Sequence, residues 1–541
     1  MADVSTSGWD VVSVTDIETL NKVINEGDNH PKSFSDYITV VGNDLKVEGE
    51  WGDWSIANEA SGKNIYMQCS IKNATVTYIG KSYPINDDKN ASQSTLNIEI
   101  SLDGIETDPT EWIGDDETSE ISKDTKCYKL MVDSKAVIVV TGSNYTNKEL
   151  YSPENGLASL VDIVLKNWFN RNVGTFKQVF SVVLIGLKAN KGDFQWLKPS
   201  AYSYSANSSI DQKSAAFAAL TLVDGKTDIG DLQQTVDIAA LQVVKEYGAN
   251  AALIISKSMF VKHILLEAAV ALVKGSTKAD FEIDKNGLSL TNIKDTVWQD
   301  FVGPDDEIMS PTIPAQSFIL TLQSDFIHIS ISGAHYRPRW GVTVYMGIEQ
   351  NFRYKVEKNK DGEPVFVPDE KGLGDAVVSC SVKFDDWLDW LNIVTGIVTS
   401  IASVIALGTS LAGVIAETGM ATLVPNAGAK VASFSFKLFN FTIKLEKLAP
   451  IAAAIQRGVA SNPSVFNVVK IGSAVTAATT GIIWGATTLS EAIYHQIFDN
   501  VPSFKIFARN FTGAVKWPGI ENMELKSATL VDSFVIGLKM S

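Results

Sequence analysis

Leu96-Asn97-Ile98-Glu99-Ile100-Ser101-Leu102 alternates strictly between apolar and polar residues. A period of two puts Leu96, Ile98, Ile100 and Leu102 on one side of an extended chain and Asn97, Glu99 and Ser101 on the other, which marks a half-buried strand. The same texture extends over residues 37–140, so this part of the chain reads as sheet. It returns over residues 175–188, and again up to residue 354, where Phe326, His328 and Ser330 alternate with Ile327, Ile329 and Ile331. An acidic, turn-rich stretch at 103–124 interrupts the first run and reads as a solvated surface loop.

Helical spacing takes over elsewhere. Val14, Ile17, Leu20, Val23 and Ile24 follow a Thr15-x-x-Glu18 capping box, and Leu157, Val161, Val164, Leu165 and Trp168 repeat the stripe. Residues 231–273 are rich in Ala, Leu, Ile and Val without alternation and read as one or two buried helices broken near Gly248. The order helix, sheet, helix therefore occurs twice, and the expected division is an N-terminal half at 1–215 and a C-terminal half at 216–541.

The C-terminal half holds two uncharged runs, 26 residues at 391–416 and 20 at 471–490. As a helix the first would be about 39 Å long, enough to cross a bilayer. Its stripe of Thr395, Thr399, Ser403 and Ser410 fits a buried helix of a folded protein instead, and both readings stay open. Trp387 and Trp390, among Asp385, Asp386 and Asp389, suit either a membrane interface or a core-packed helix start. Phe434, Phe436, Phe439 and Phe441 read as a strand with an aromatic face, and residues 504–507, 514–517 and 529–538 as closing strands.

The chain has 541 residues, about three ordinary domains or fewer large ones. Its 45% hydrophobic and 20% charged residues belong to a packed protein. The net charge of −16 opposes affinity for nucleic-acid backbones. That charge is uneven: residues 1–150 carry 26 acids and 12 bases, whereas 391–541 carry 7 acids and 11 bases. Cys69, Cys127 and Cys380 are too few and too scattered for a disulfide framework or a zinc ribbon. The first ten residues have neither a basic nor an apolar signal region, so the six N-x-S/T sequons are read as chance. Nucleotide-binding, zinc-protease and acyl-transfer motifs are missing, and His328 with His335 lack the spacing of a metal site. The reading is therefore non-enzymatic, with no metal or cofactor.

Several short stretches, in order, carry a family resemblance: Gly8-Trp9-Asp10, Trp54-Ser55-Ile56 with Ser61-Gly62-Lys63-Asn64, Gly192-Asp193-Phe194-Gln195-Trp196-Leu197-Lys198-Pro199, Ile255-Ser256-Lys257 with Phe260, and Val515-Lys516-Trp517-Pro518-Gly519. Together the chain resembles the clostridial P-forty-seven family, encoded with OrfX proteins beside botulinum neurotoxin and related insecticidal toxin genes. The resemblance implies an α+β TULIP (tubular lipid-binding) fold, in which long curved antiparallel sheets wrap long helices in an elongated two-part architecture. It implies lipid or hydrophobic-ligand binding by an accessory protein of a toxin cluster, and it carries no catalytic residues.

On this reading the partners are an apolar ligand, a toxin or OrfX-like protein, and a membrane surface. The residues expected to line a lipid site are Val394, Val398, Ile401, Ile405, Ile483 and Trp484, chosen for their place in the uncharged runs, with Trp387 and Trp390 facing a membrane. Two alternatives stand beside it, an insecticidal toxin whose uncharged runs insert as a hairpin, and a scaffold of a toxin complex with a closed groove. The expected localisation is the bacterial cytoplasm at synthesis, with release by a route other than Sec.

Overall fold

The computed structural model describes residues 3–384, 465–471 and 515–541, apart from short stretches of which 113–123 and 186–194 are the longest. The architecture is sheet-rich and antiparallel, with four α-helices among the described residues. The alternating run quoted above forms as expected, with Leu96, Ile98, Ile100 and Leu102 all buried. It is, however, shared between two sheets. The strand Ser94–Ile100 pairs with Ile65–Tyr78 and Val139–Asn144 in a six-stranded sheet, and after Ser101 the strand Leu102–Thr107 pairs with Lys126–Val132 in a four-stranded one. The start of the acidic stretch is thus a strand, because Lys126–Val132 supplies the backbone partners that a loop would have to find in water.

Both chain ends meet in a seven-stranded sheet ordered Met523–Val531, Ser533–Met540, Ala251–Ile255, Val11–Asp16, Ala215–Leu222, Ala201–Ser208 and Ser61–Gly62. One face joins the main core through Val11, Phe217, Ala219, Leu253, Ile255 and Phe534. The other face, through Val12, Val14, Ala218, Leu220, Ala252 and Ile254, packs on Leu241, Val243 and Val244 of the helix Ala239–Lys245. A strand covered on both sides needs no polar face. That is why Ala251–Ile255, buried throughout, lacks alternation and reads as part of a helix, whereas the break at Gly248 (φ +76°) is real.

The first helix differs in a similar way. Val14 and Thr15 belong to the strand Val11–Asp16, laddered on both sides, and the helix is Ile17–Glu26. Its cap is Asp16, whose carboxylate accepts the Thr19 N–H at 2.8 Å, in place of Thr15. Asn21 fixes this helix to the six-stranded sheet, donating to the Ile56 carbonyl at 3.1 Å and accepting the Ile56 N–H at 2.7 Å. The helix Leu157–Asn172 carries the expected apolar stripe onto the same sheet. There Trp168 and Phe169 meet Trp51, Trp54, Phe34 and Phe176 in one aromatic cluster, with ring centroids 4.3–6.1 Å apart between contacting pairs.

The remaining large sheet contains Ile327–Arg339, Val342–Lys358, Val377–Phe384 and Val465–Ile471 as consecutive neighbours. Ile327, Ile329 and Ile331 are buried as the alternation implies. The register Lys383↔Val465 and Val382↔Phe466 sets Val377–Phe384 and Val465–Ile471 side by side as antiparallel neighbours. Among the described residues, no helix is long and apolar enough to cross a membrane.

Candidate functional site

The residues that carried the family resemblance hold the fold together. Trp9 is fully buried and donates its indole N–H to the Gln233 carbonyl at 2.9 Å. The Asp10 carboxylate accepts the Val223 N–H at 3.0 Å and the Lys226 ammonium at 2.6 Å. Trp54 stands in the aromatic cluster, and the strand Ser61–Gly62 ends the seven-stranded sheet. Lys257 pairs with Asp532, Phe260 packs on Phe534 at 4.9 Å, and Trp517 meets Phe217 edge-on at 5.9 Å.

Trp196 has a more distinctive neighbour. Its indole stacks on His263 with ring centroids 4.4 Å apart and planes inclined by 4°. His263 lies in a one-turn π-helix, Val261–Leu265, that continues the helix Lys257–Phe260. Its Nε2 is 2.8 Å from the Asp224 carboxylate, which also takes the Lys262 ammonium at 2.6 Å. Asp224 holds a left-handed turn conformation at φ +57°, placed by the neighbouring Asp10 anchor on Val223 and Lys226. Burial holds the His263 ring below its ordinary pKa, against the opposing pull of Asp224. Burial would raise Asp224, but the hydrogen bonds from Lys262 and His263 outweigh it and hold the carboxyl below the usual range. At neutral pH the pair is therefore a neutral imidazole donating Nε2–H to a carboxylate. No motif in the sequence announces this cluster, because Trp196, Asp224 and His263 are brought together from three separate segments.

An open cleft of about 690 Å³ lies elsewhere, between residues 208–211 and the start of the helix Ala239–Lys245. Ser5, Ser7, Ser208, Asp211, Thr235 and Asp237 are among its lining residues. Asp237 is already engaged, accepting N–H groups of Ser5 at 2.9 Å and Ala239 at 3.0 Å. Ile210, Val236 and Ile238 stand among these polar groups, so the lining is mixed in character.

Val394, Val398, Ile401, Ile405, Ile483, Trp484, Trp387 and Trp390 all lie outside the described residues, as do the phenylalanines at 434–441. His328 and His335 lie on the strand Ile327–Arg339 and bond to the Asn351 side chain at 2.8 Å and the Gly333 carbonyl at 3.2 Å. Among the described residues, no group of three or more His, Cys, Asp or Glu could hold a metal ion.

Comparison with known proteins follows this geometry. A model of the OrfX-like family, described as protein OrfX2/OrfX3/P47, matches residues 6–450. The OrfX3 protein of Paraclostridium bifermentans is 26% identical over 297 residues, 52% of this chain and 57% of that protein, so the chain spans little more than half the length of this relative. The P47 protein of Clostridium botulinum A2 has a similar structure, with a TM-score of 0.55 and 15% identity over 99% of this chain and 98% of that one. P47 of C. botulinum E1 aligns with a TM-score of 0.57 and 14% identity, over 99% of each chain. With the family pattern running through most of its length and the P47 fold matched from end to end, the chain belongs to the OrfX-like family.

Proposed function

We propose that this protein binds a lipid or another apolar ligand, without catalysis, as an accessory component of a clostridial toxin-cluster system. In this reading the fold is TULIP-like, with long helices from the uncharged runs sheathed by curved antiparallel sheets. The observation that carries it is the pairing of Val377–Phe384 with Val465–Ile471, neighbouring strands of one sheet between which the sequence holds 26 successive uncharged residues. Ile327, Ile329 and Ile331 of the same sheet belong to the main apolar core. An uncharged run against such a face would gain about 25 cal/mol for every Å² of apolar surface it removes from water, whether by covering the sheet or by enclosing a guest. Val394, Val398, Ile401, Ile405, Ile483 and Trp484 would line the enclosed space, and the OrfX-like membership supports the toxin-cluster setting.

Native mass spectrometry of gently purified protein, followed by organic extraction, tests the reading. A stoichiometric acyl-chain ligand, weakened by Val398→Asp, is the expected result. Protein that carries no lipid and ignores added lipid would overturn it. Recovery of such empty protein in a stable complex with a co-encoded partner would instead favour the closed scaffold.

A further inference from the structure

Among the described residues, six non-glycine positions have positive φ, namely Ser7, Val41, Ile79, Asp224, Gln316 and Asp532. Four are polar types, and the two that are β-branched occupy equivalent places in neighbouring hairpins. Val41-Gly42 joins the strands Ser33–Val40 and Asn43–Ile56, and Ile79-Gly80 joins Ile65–Tyr78 and Lys81–Pro84. Both are two-residue turns with φ of +49° and +79° in the first and +50° and +71° in the second, the left-handed values of a type I′ hairpin. Asn, Asp or Gly ordinarily fills the first position, where a β-branched side chain is strained. Both side chains are nevertheless turned to solvent, Val41 94% and Ile79 62% exposed.

The register places the two turns together. Asn43–Ile56 pairs with Ile65–Tyr78 through Leu45↔Tyr78, so both turns lie at the same end of the six-stranded sheet. Their midlines are about 10 Å apart, two strand spacings, and the first overhangs the second by two residues, roughly 7 Å. Nothing lies within 4 Å of where a Cβ would stand on Gly42 or Gly80, so both tips are convex and open. Beside them Tyr37 is 57% exposed, whereas Tyr78 and Tyr83 are half-buried and pack against the main core. Of the two lysines at this end, Lys46 is paired with Glu48 at 2.6 Å, and Lys81 follows directly on the second turn.

We propose that these paired tips are a bilayer-docking edge, with Val41 and Ile79 entering the acyl boundary while Tyr37 and Lys81 rest at the headgroups. Isolated aliphatic side chains on convex turns offer a folded partner little surface to grip, but a fluid bilayer closes around each one. Aliphatic tips with an exposed tyrosine and a lysine close behind them have the composition of an interfacial anchor. The assignment goes beyond the ligand-binding reading, since docking and cavity occupancy can succeed or fail independently.

Flotation of the full chain with vesicles of phosphatidylcholine and a minor share of phosphatidylserine tests it. Val41→Asn and Ile79→Asn are suitable variants because Asn favours the turn, so loss of binding cannot come from misfolding. Each should weaken vesicle binding about tenfold, the partitioning of one partly buried aliphatic side chain. Val137→Asn, at a residue 71% exposed toward the opposite end of the sheet, should leave binding unchanged. Wild type that fails to float, a double tip variant that floats as well as wild type, or an equal loss in Val137→Asn would each overturn the proposal. So would tip variants that lose a protein partner while wild type ignores vesicles. A double variant that no longer docks yet still yields extracted lipid separates this edge from the interior site.

Discussion

Removing the Asp10 carboxylate should cost more than removing the cation it faces, and the difference follows from burial. The Asp10 side chain is 5% exposed, whereas Lys226 is 46% exposed. In Asp10→Ala the buried Val223 N–H loses its acceptor, a loss of about 1–3 kcal/mol. Loss of the partly solvated ion pair adds at most about 1 kcal/mol. The sum is roughly 2–4 kcal/mol. In Lys226→Met only the smaller part is lost directly, although the carboxylate keeps its backbone donor; about 1 kcal/mol is expected. Asp10→Asn retains an acceptor for Val223 and should resemble Lys226→Met. The Asp10 backbone also joins two neighbours, donating to Thr221 and accepting from Ser256, and these main-chain bonds survive the substitution, so the loss is confined to the side-chain contacts. Urea unfolding followed by the fluorescence of the 12 tryptophans would measure the series. If Asp10→Ala costs no more than Lys226→Met, the buried N–H is not what this carboxylate serves, and the argument fails.

Three further outcomes are expected. Val41→Asn and Ile79→Asn should each stabilise the fold by up to about 1 kcal/mol by relieving left-handed strain, seen as a higher melting temperature; a lower one would contradict the turn geometry. Because burial depresses the folded-state pKa of His263, its contribution is present above the unfolded value near 6.5 and is lost as pH falls through the lower folded value; the depressed Asp224 behaves likewise below about 3.8. Stability of the wild type should therefore decline more between pH 7 and pH 5 than that of His263→Gln, and parallel declines would exclude the effect. In a Cys380→Ala background, Cys69 and Cys127 should resist a thiol reagent until the chain unfolds, because both are buried and burial raises Cys69 well above its ordinary pKa and Cys127 to about 11; rapid native labelling would contradict this.

Legibility in the sequence tracked the asymmetry of burial. The run Leu96 to Leu102, the helix around Val161 and Trp168, and the strand with Ile327, Ile329 and Ile331 each have one buried and one polar face, so their periods were readable. Ala251–Ile255 was not, since cores on both sides erase the alternation. The His263 cluster was illegible for another reason. Its stacking, its shared carboxylate and its perturbed ionisation depend on contacts between residues 196, 224 and 263, and no local pattern encodes them.

By itself, the sequence determined the class of object: an acidic, packed chain of strands and helices with two uncharged runs, and an ordered set of short stretches marking its family. Composition and period do this because hydrophobic burial and backbone geometry act locally along the chain. Only the tertiary structure decided that several residues of those family stretches brace the core, that the chain ends share one sheet, and that Val41 and Ile79 stand at the same end of another, six-stranded one. Strand register between distant segments sets those facts, and register is chosen by the collective burial of whole faces, which no single stretch of sequence contains.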